Sequence, residues 1–318
     1  MIIVTGGLGF IGSHVVERLY NKGEEEIIIV DKKKINEKIL NELRGCPAFN
    51  EERIIYGDLV NKQFIMNLIN KYEPTTIYHL AALASHRLSI DDPYSYVEQN
   101  TITLLNILEA ARTARVKPKI VFSSSSSVYG NSPPPLKEDM KPNPSGPYAL
   151  SKYFGEQLCK LYHELYGVSC IILRYFNVVG ERCRGNIVLK IFVDNVLNGK
   201  PLIVNGRWLD GRFQPATRDF TYVGDIADGT ILAGQLDRQF EVINLGAGRP
   251  TSVLELAERV IEEMGGDKSE IKYAELSPHE ALHSYSDNSK ARKLLGWEPK
   301  VDIKTIVKKY IEWRLKNS

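Results

Sequence analysis

The stretch Ile2-Ile3-Val4-Thr5-Gly6-Gly7-Leu8-Gly9-Phe10-Ile11-Gly12, followed on to Ile27-Ile28-Ile29-Val30-Asp31, decides how the chain is read. Its first apolar run has the length and type of a buried parallel strand. Gly6, Gly9 and Gly12 have the spacing GxxGxxG. Ile11, Val15, Val16 and Leu19 then recur on one helical face, and Gly23 stands where such a helix would stop. The second apolar run ends at Asp31. Strand, glycine turn, helix, strand and acid together make a dinucleotide-binding unit. The glycines let backbone approach a pyrophosphate, and the helix N-terminus offers free N–H groups and the positive end of a dipole. A glycine triplet alone would be weak; the ordered set carries the reading. Asp31, roughly 20 residues beyond the turn, is placed to accept from both ribose hydroxyls of NAD and to repel the 2′-phosphate of NADP. Lys32, Lys33 and Lys34 weaken that repulsion, although a charge run after a strand reads first as a solvated face. The cofactor expected is NAD.

Strand-like runs follow at 53–56, 76–80, 120–123 and 169–174, with helical patterns between them at 62–72, 93–114 and 147–166. This alternation predicts an α/β fold, a Rossmann-type doubly wound parallel sheet, with a smaller, mixed C-terminal substrate-binding domain. The expected division is 1–176 for the NAD-binding domain, with 219–248 returning to it, and 177–218 with 249–318 for the second. Ligands of such sheets bind beyond the carboxyl ends of the strands. Asp58 and Leu59 end the third strand, and Asp58 is placed either to meet the adenine amino group or to cap the following helix. Leu80, Ala81 and Ala82 end the fourth, small enough in part for a flat cofactor to lie on. With Ser123 they complete the expected cofactor contacts made by Gly6, Gly9, Phe10, Ile11, Gly12, Asp31 and Lys32. The proline-dense segment 128–147 is expected to be a loop. The segment 199–217 is read as loop too, around a helix at 186–197, before a last strand at 242–245 and a helix at 252–264.

The 318 residues bury a substantial core. Lys+Arg 41 against Asp+Glu 39 leaves a net charge of +2, which gives no bias toward nucleic acid or an anionic membrane. The four cysteines show no CxxC spacing, so reduced thiols are expected rather than a disulfide framework or a zinc site. Cys183, in a Gly/Arg-rich loop, is the one candidate for reactivity. The histidines show no metal spacing, and no metal is expected. With the first strand read from the second residue, no signal peptide is expected, and no run reaches membrane-spanning length. The expected location is cytoplasmic.

Tyr148 and Lys152 stand at i and i+4, one helical turn apart. A free tyrosine has a pKa near 10 and is a poor base at neutral pH. A lysine ammonium beneath it, with a positive nicotinamide ring nearby, would favour the phenolate. Ser125, at the end of the fifth strand, is placed to hydrogen-bond the same substrate hydroxyl. The three make a candidate catalytic set.

These residues carry a resemblance. The glycine turn, Phe122-Ser123-Ser124-Ser125-Ser126-Ser127-Val128-Tyr129-Gly130 and Pro147-Tyr148-Ala149-Leu150-Ser151-Lys152 resemble the extended short-chain dehydrogenase/reductases. Arg174-Tyr175-Phe176-Asn177, Thr217-Arg218-Asp219-Phe220-Thr221-Tyr222 and Asp287-Asn288-Ser289-Lys290 add to it. Within that family the chain is most similar to NAD-dependent nucleotide-sugar 4-epimerases of the UDP-glucose 4-epimerase kind. The resemblance implies that Tyr148 takes the proton from the sugar O4. It implies that Lys152 lowers the Tyr148 pKa and holds the nicotinamide ribose, and that Ser125 and Ser127 bind the sugar. By the same likeness Asn177 and Arg218 hold the diphosphate of a UDP-sugar, Asn100 and Tyr175 line the cofactor site, and the long helices pair two copies as a homodimer. Related 4,6-dehydratases carry an Asp-Glu pair beside the serine. This chain has Ser126 and Ser127 there, which favours oxidation and re-reduction at C4. The alternatives are a net dehydrogenase, another nucleotide-sugar-modifying member such as a UDP-glucuronate epimerase or a dehydratase, and a non-catalytic NAD-binding regulator.

Two departures bear on substrate. The family's second diphosphate arginine is missing before Asp287, where the chain reads Ser277-Pro278-His279-Glu280-Ala281-Leu282-His283. Either a histidine substitutes, or recognition leans on Arg218 with Arg182 or Arg184. Ser284 stands where a bulky residue of related enzymes crowds an N-acetyl group, so a pocket admitting N-acetylhexosamines is expected. The insertion at 207–217 has no assigned role.

Overall fold

The computed structural model describes residues 1–32, 43, 45–183, 185–265, 269–278 and 280–317. Expectations placed on Lys33, Lys34, Arg184 and His279 lie outside the described residues. In chain order the elements used below are β1 (Ile2–Thr5), α1 (Phe10–Asn21), β2 (Ile27–Asp31), β3 (Ile54–Tyr56), α2 (Lys62–Tyr72), β4 (Thr76–His79), α3 (Pro93–Thr113), β5 (Lys119–Ser125), α4 (Pro147–Tyr166) and β6 (Cys170–Tyr175). Then come α5 (Val188–Leu197), β7 (Leu202–Leu209), β8 (Arg212–Pro215), α6 (Val223–Gln235), β9 (Phe240–Leu245), α7 (Val253–Glu263), β10 (Ile271–Glu275) and α8 (Ile303–Lys316).

The chain divides into two compact units. The first holds Met1–Val128, Gly146–Arg174 and Ala227–Ile243; the second holds Tyr129–Ser145, Tyr175–Ile226 and Asn244–Ser318. Against the expected return over 219–248, the returning segment is Ala227–Ile243, and the proline-dense loop falls with the second unit.

The seven-stranded sheet runs β9-β6-β5-β4-β1-β2-β3. β1 pairs in parallel with both β2 and β4, so the strand order reverses beside it. That reversal opens the crevice in which doubly wound sheets take ligands. Ile3, Val4, Ile29, Val30, Ile77, Ile120 and Val121 are all buried, the near-continuous apolar runs that strands covered on both faces need. α1 buries Val15, Val16 and Leu19 but leaves Ile11 half-buried, and Gly23, at φ +91°, follows its end. Leu104, Ile107 and Leu108 of α3 and Cys159 and Tyr162 of α4 close the core over Ile120, Phe122 and Ile172. Each such large apolar side chain contributes ~1.5–3 kcal/mol through burial.

The second unit corrects one expectation. Residues 199–217 are not loop: β7 and β8 form an antiparallel hairpin, and β10 joins β7 in parallel. Leu202, Val204 and Gly206 are buried in alternation along β7. Its turn is Asp210-Gly211, both at positive φ (+50° and +75°), the pairing a tight hairpin turn favours. Among the described residues no helix is long and apolar enough to cross a membrane.

Candidate active site

In the first unit the glycine turn is shaped by close backbone approach. Gly6 sits at φ +68°, and a Cβ there would lie 2.7 Å from the Ala81 amide nitrogen, across the β1/β4 crevice. A Cβ on Gly12 would lie 2.1 Å from the Gly6 carbonyl oxygen, so the first turn of α1 closes directly onto the loop. Gly9 caps α1 without a side chain, leaving the amides of Phe10 and Ile11 at the helix start for an anion. Asp31 accepts from the Leu8 amide at 3.3 Å and the Lys32 amide at 2.9 Å, which fixes its carboxylate beside the turn.

Lys32 Nζ lies 2.9 Å from Asp58. Burial works upward on the Asp58 carboxyl, but Lys32 and the Val60 amide outweigh it and hold the group below its ordinary range. The helix-capping alternative for Asp58 is corrected: Asn61 caps α2 through the Phe64 amide at 3.1 Å. Leu59 is buried, and its carbonyl accepts from Asn106. Beyond β4, the Leu80 amide donates to the Thr5 carbonyl at 3.1 Å, and Ala82 is exposed. Asn100 does not simply line this edge. Its amide pairs both ways with the Leu83 backbone, at 2.9 and 3.1 Å, and donates to Ser151 at 3.0 Å, tying the loop after β4 to α4.

The catalytic candidates come together on β5 and α4. Lys152 Nζ donates to the Ser123 carbonyl at 2.8 Å, and the Ser123 hydroxyl donates to the His79 carbonyl at 3.0 Å. Ser125 hydrogen-bonds Tyr148. Ser127 directs both its amide (3.1 Å) and its hydroxyl (2.9 Å) at the Ser125 oxygen. With its lone pairs engaged in this way, Ser125 has its own proton to offer to Tyr148. Burial pushes the Tyr148 phenol up, the Ser125 bond pulls it down, and nearby Tyr96 adds to the rise. Burial dominates at Tyr148, and burial also brings Lys152 down to about 7, so its own charge is only partial at neutral pH.

Four residues around the site were not singled out as participants from sequence. His79 binds Thr5 through Nδ1 at 2.8 Å, and burial followed by the Lys152 charge drops its pKa to about 3, so it stays neutral beneath the site. Tyr96 stands edge-on to Tyr148, ring centres 6.3 Å apart. Glu156 and Arg174 form a buried ion pair behind Ser124. A carboxylate on the apolar face of α4, one turn beyond Lys152, was the available signal for Glu156.

The remaining candidates lie in the second unit or at its border. Tyr175 is buried at the end of β6, and Asn177 is exposed, its carbonyl accepting from the Thr221 amide. Arg218 donates to the carbonyls of Thr217 (2.9 Å) and Leu282 (3.3 Å) and faces Glu280 at 3.5 Å. Burial lowers its pKa while Glu280 opposes the fall. Glu280 also accepts, through its carbonyl, from Arg207 of the hairpin at 3.1 Å, so the insertion braces the Arg218 loop. The Ser284 amide donates to the Thr217 carbonyl at 3.2 Å, which places Ser284 beside Arg218 in sequence-distant register. Arg182 is buried at φ +64°. Cys183 is buried, and burial pushes its thiol up to about 12, which removes it as a reactive cysteine. Among the described residues no group of His, Cys, Asp and Glu is arranged to hold a metal ion.

The family described as GDP-mannose 4,6 dehydratase matches residues 3–310. A putative UDP-glucose 4-epimerase of Methanocaldococcus jannaschii is 38% identical, over 100% of this chain and 99% of its own. The solved UDP-N-acetylglucosamine 4-epimerase of Methanobrevibacter ruminantium M1, in complex with UDP-N-acetylmuramic acid, superposes with a TM-score of 0.87 at 31% identity, covering 100% and 98% of the two chains. The UDP-glucuronic acid 4-epimerase of Bacillus cereus, in complex with UDP-glucuronic acid and NAD, gives 0.88 at 28% identity, covering 100% and 99%.

Proposed function

The chain belongs to the GDP-mannose 4,6 dehydratase family, within the extended short-chain dehydrogenase/reductases, and from that premise we propose an NAD-dependent isomerase that inverts C4 of a UDP-hexose. The observation that carries the reading is the Ser127–Ser125–Tyr148 chain of hydrogen bonds above the buried Lys152. It places a phenol, a hydroxyl donor and a buried amine in one place beside the glycine turn.

NAD fits the residues present. A Cβ would fill the space at Gly6 and Gly12, the α1 N-terminus carries no side-chain cap, and Asp31 is held beside it. Gly6, Gly9, Phe10, Ile11 and Gly12 would hold the pyrophosphate, Asp31 the adenosine ribose, and Lys32 with Asp58 would flank the adenine. NAD, when bound, supplies the hydride acceptor at C4 and a positively charged ring. Tyr148 takes the O4 proton, Ser125 holds O4 in line, and Lys152 steadies the phenolate through its charge. When the 4-keto sugar has turned over, Tyr148 returns the proton to O4 on the opposite configuration. Ser123, Ser126 and Ser127 bring no carboxylate to remove a C5 proton, which supports simple oxidation and re-reduction over elimination. A regulator without activity would have no use for the complete set.

For substrate we propose UDP-glucose and UDP-galactose, with the N-acetylhexosamines admitted beside Ser284. Arg218 and Asn177 are the candidate diphosphate partners. The names of similar proteins span UDP-glucose, UDP-N-acetylglucosamine and UDP-glucuronate, so all three sugars belong in the assay. Ser284→Tyr is expected to suppress turnover of the N-acetylated sugar selectively; equal loss on both sugars would remove Ser284 as the determinant. The proposed assembly is a homodimer. Leu150, Phe154, Leu161 and Leu165 make an exposed apolar stripe along one face of α4, and Val97 of α3 is exposed as well. A second copy of the same helices would cover it isologously.

A further inference from the structure

The groups that act on O4 come from two elements. β5 supplies the Ser123 carbonyl and the Ser125 hydroxyl, while α4 supplies Tyr148 and Lys152. Their chemistry depends on the spacing between strand and helix, because a misplacement of about 1 Å is enough to cost roughly 100-fold in rate.

Glu156 continues the series on α4: Tyr148, Lys152 and Glu156 stand at i, i+4 and i+8 on one face. Its Oε1 accepts from the Ser124 hydroxyl at 2.5 Å and from Arg174 Nε at 2.9 Å, and its Oε2 accepts from Arg174 Nη2 at 2.7 Å. The side chains of Arg174 and Glu156 are 4% and 3% exposed. Ser124 sits between the residue whose carbonyl holds Lys152 and the residue whose hydroxyl holds Tyr148. Arg174 lies on β6, the strand next to β5. One carboxylate therefore joins α4, β5 and β6 directly behind the reacting groups.

For stability alone this is a poor choice. Burying two charges is expensive, and apolar side chains of the same volume would fill the space at equal or lower free energy. The pair offers direction instead. A planar guanidinium engaged two-point fixes the carboxylate plane and leaves one oxygen aimed at Ser124.

We infer that Glu156, held by Arg174, is a positioning residue: through Ser124 it sets the register of β5 against α4, and with it the Ser125–Tyr148 and Ser123–Lys152 contacts. The inference rests on the proposed role of Tyr148.

Ser124→Ala cuts the strand link and leaves the ion pair in place. Glu156→Leu with Arg174→Met removes the pair at similar volume. Both are compared with wild type as NAD-loaded protein by kcat and KM on the UDP-sugar that wild type uses, over a range of pH. The Tyr148 phenolate is titrated in parallel by ultraviolet difference against Tyr148→Phe, which needs no sugar. Ser124→Ala is expected to keep the wild-type unfolding transition and cofactor content while kcat falls about 10-fold, with KM within about twofold. The phenolate titration is expected to move to higher pH. In the double variant both effects deepen. Unchanged kcat and unchanged titration in Ser124→Ala overturn the inference, and Ser124→Ala alone decides if the double variant does not fold. If wild type turns over none of the sugars, the epimerase reading fails, and the titration still decides the role of Glu156.

Discussion

Lys152→Met separates what the fold favours from what the chemistry requires. Lys152 is buried, and burial brings its pKa from 10.5 to about 7. At neutral pH that depression corresponds to ~4 kcal/mol of lost stability, at about 1.4 kcal/mol per unit. Methionine fills a similar volume without the charge, but it leaves the Ser123 carbonyl, now bonded at 2.8 Å, without its donor. That loss costs ~1–3 kcal/mol. The variant is therefore expected to be more stable than wild type by ~1–3 kcal/mol at neutral pH and to lose activity. The pH dependence carries the sharper signature. Folding lowers this pKa, so the penalty is complete below the folded value and fades as pH rises toward the unfolded one. Wild type should gain on the variant between about pH 7 and about pH 10. Urea unfolding of both proteins, stripped of NAD, across that window measures the gap directly. A gap that stays constant with pH, or a variant less stable at neutral pH, would refute a buried, strained lysine.

Three further outcomes follow from named contacts. Gly12→Ala puts a Cβ 2.1 Å from the Gly6 carbonyl and should abolish NAD retention, whereas Gly45→Ala, with nothing within 4 Å and no positive φ, should keep it. Nucleotide released from each purified protein on denaturation reports the result, and wild-type NAD content in Gly12→Ala would sink the cradle. Asp31→Ser should shift the NAD:NADP affinity ratio toward NADP by about 10-fold or more, measured by competitive binding; an unchanged ratio would move discrimination elsewhere. Leu161→Glu with Leu165→Glu charges a stripe whose members are 46% and 61% exposed, and should yield monomers in sedimentation. A persisting dimer would exclude that face.

The first unit was legible because its signals are local. The run at 2–4, the glycine spacing, the helical repeat to Leu19 and the acid at Asp31 each follow from one element's own period, and β1, α1 and β2 formed as read. Lys119–Ser125 is longer than its expected strand because serines continue the extended backbone after the apolar residues end. The second unit was less legible for a physical reason. In β7 the buried positions are Leu202, Val204 and Gly206, and a glycine breaks the apolar alternation. Asp210-Gly211 was the signal that could have recovered the hairpin. Glu156 with Arg174 lay out of reach because the partners, 18 residues apart, meet only once α4 packs on the sheet. The burial at Tyr148 and Lys152 was not legible for a related reason: a helix spacing shows that Lys152 is near, but only packing shows how far both groups are withdrawn from water.

The most direct measurement of the central claim follows deuterium at C4. Purified protein, with no NAD added, is given UDP-glucose deuterated at C4, and the products are read by NMR. C4 inversion by oxidation and return through a retained cofactor predicts UDP-galactose that still carries deuterium at C4. Galacto product with solvent hydrogen at C4, or release of a 4-keto sugar with reduced cofactor, would contradict it.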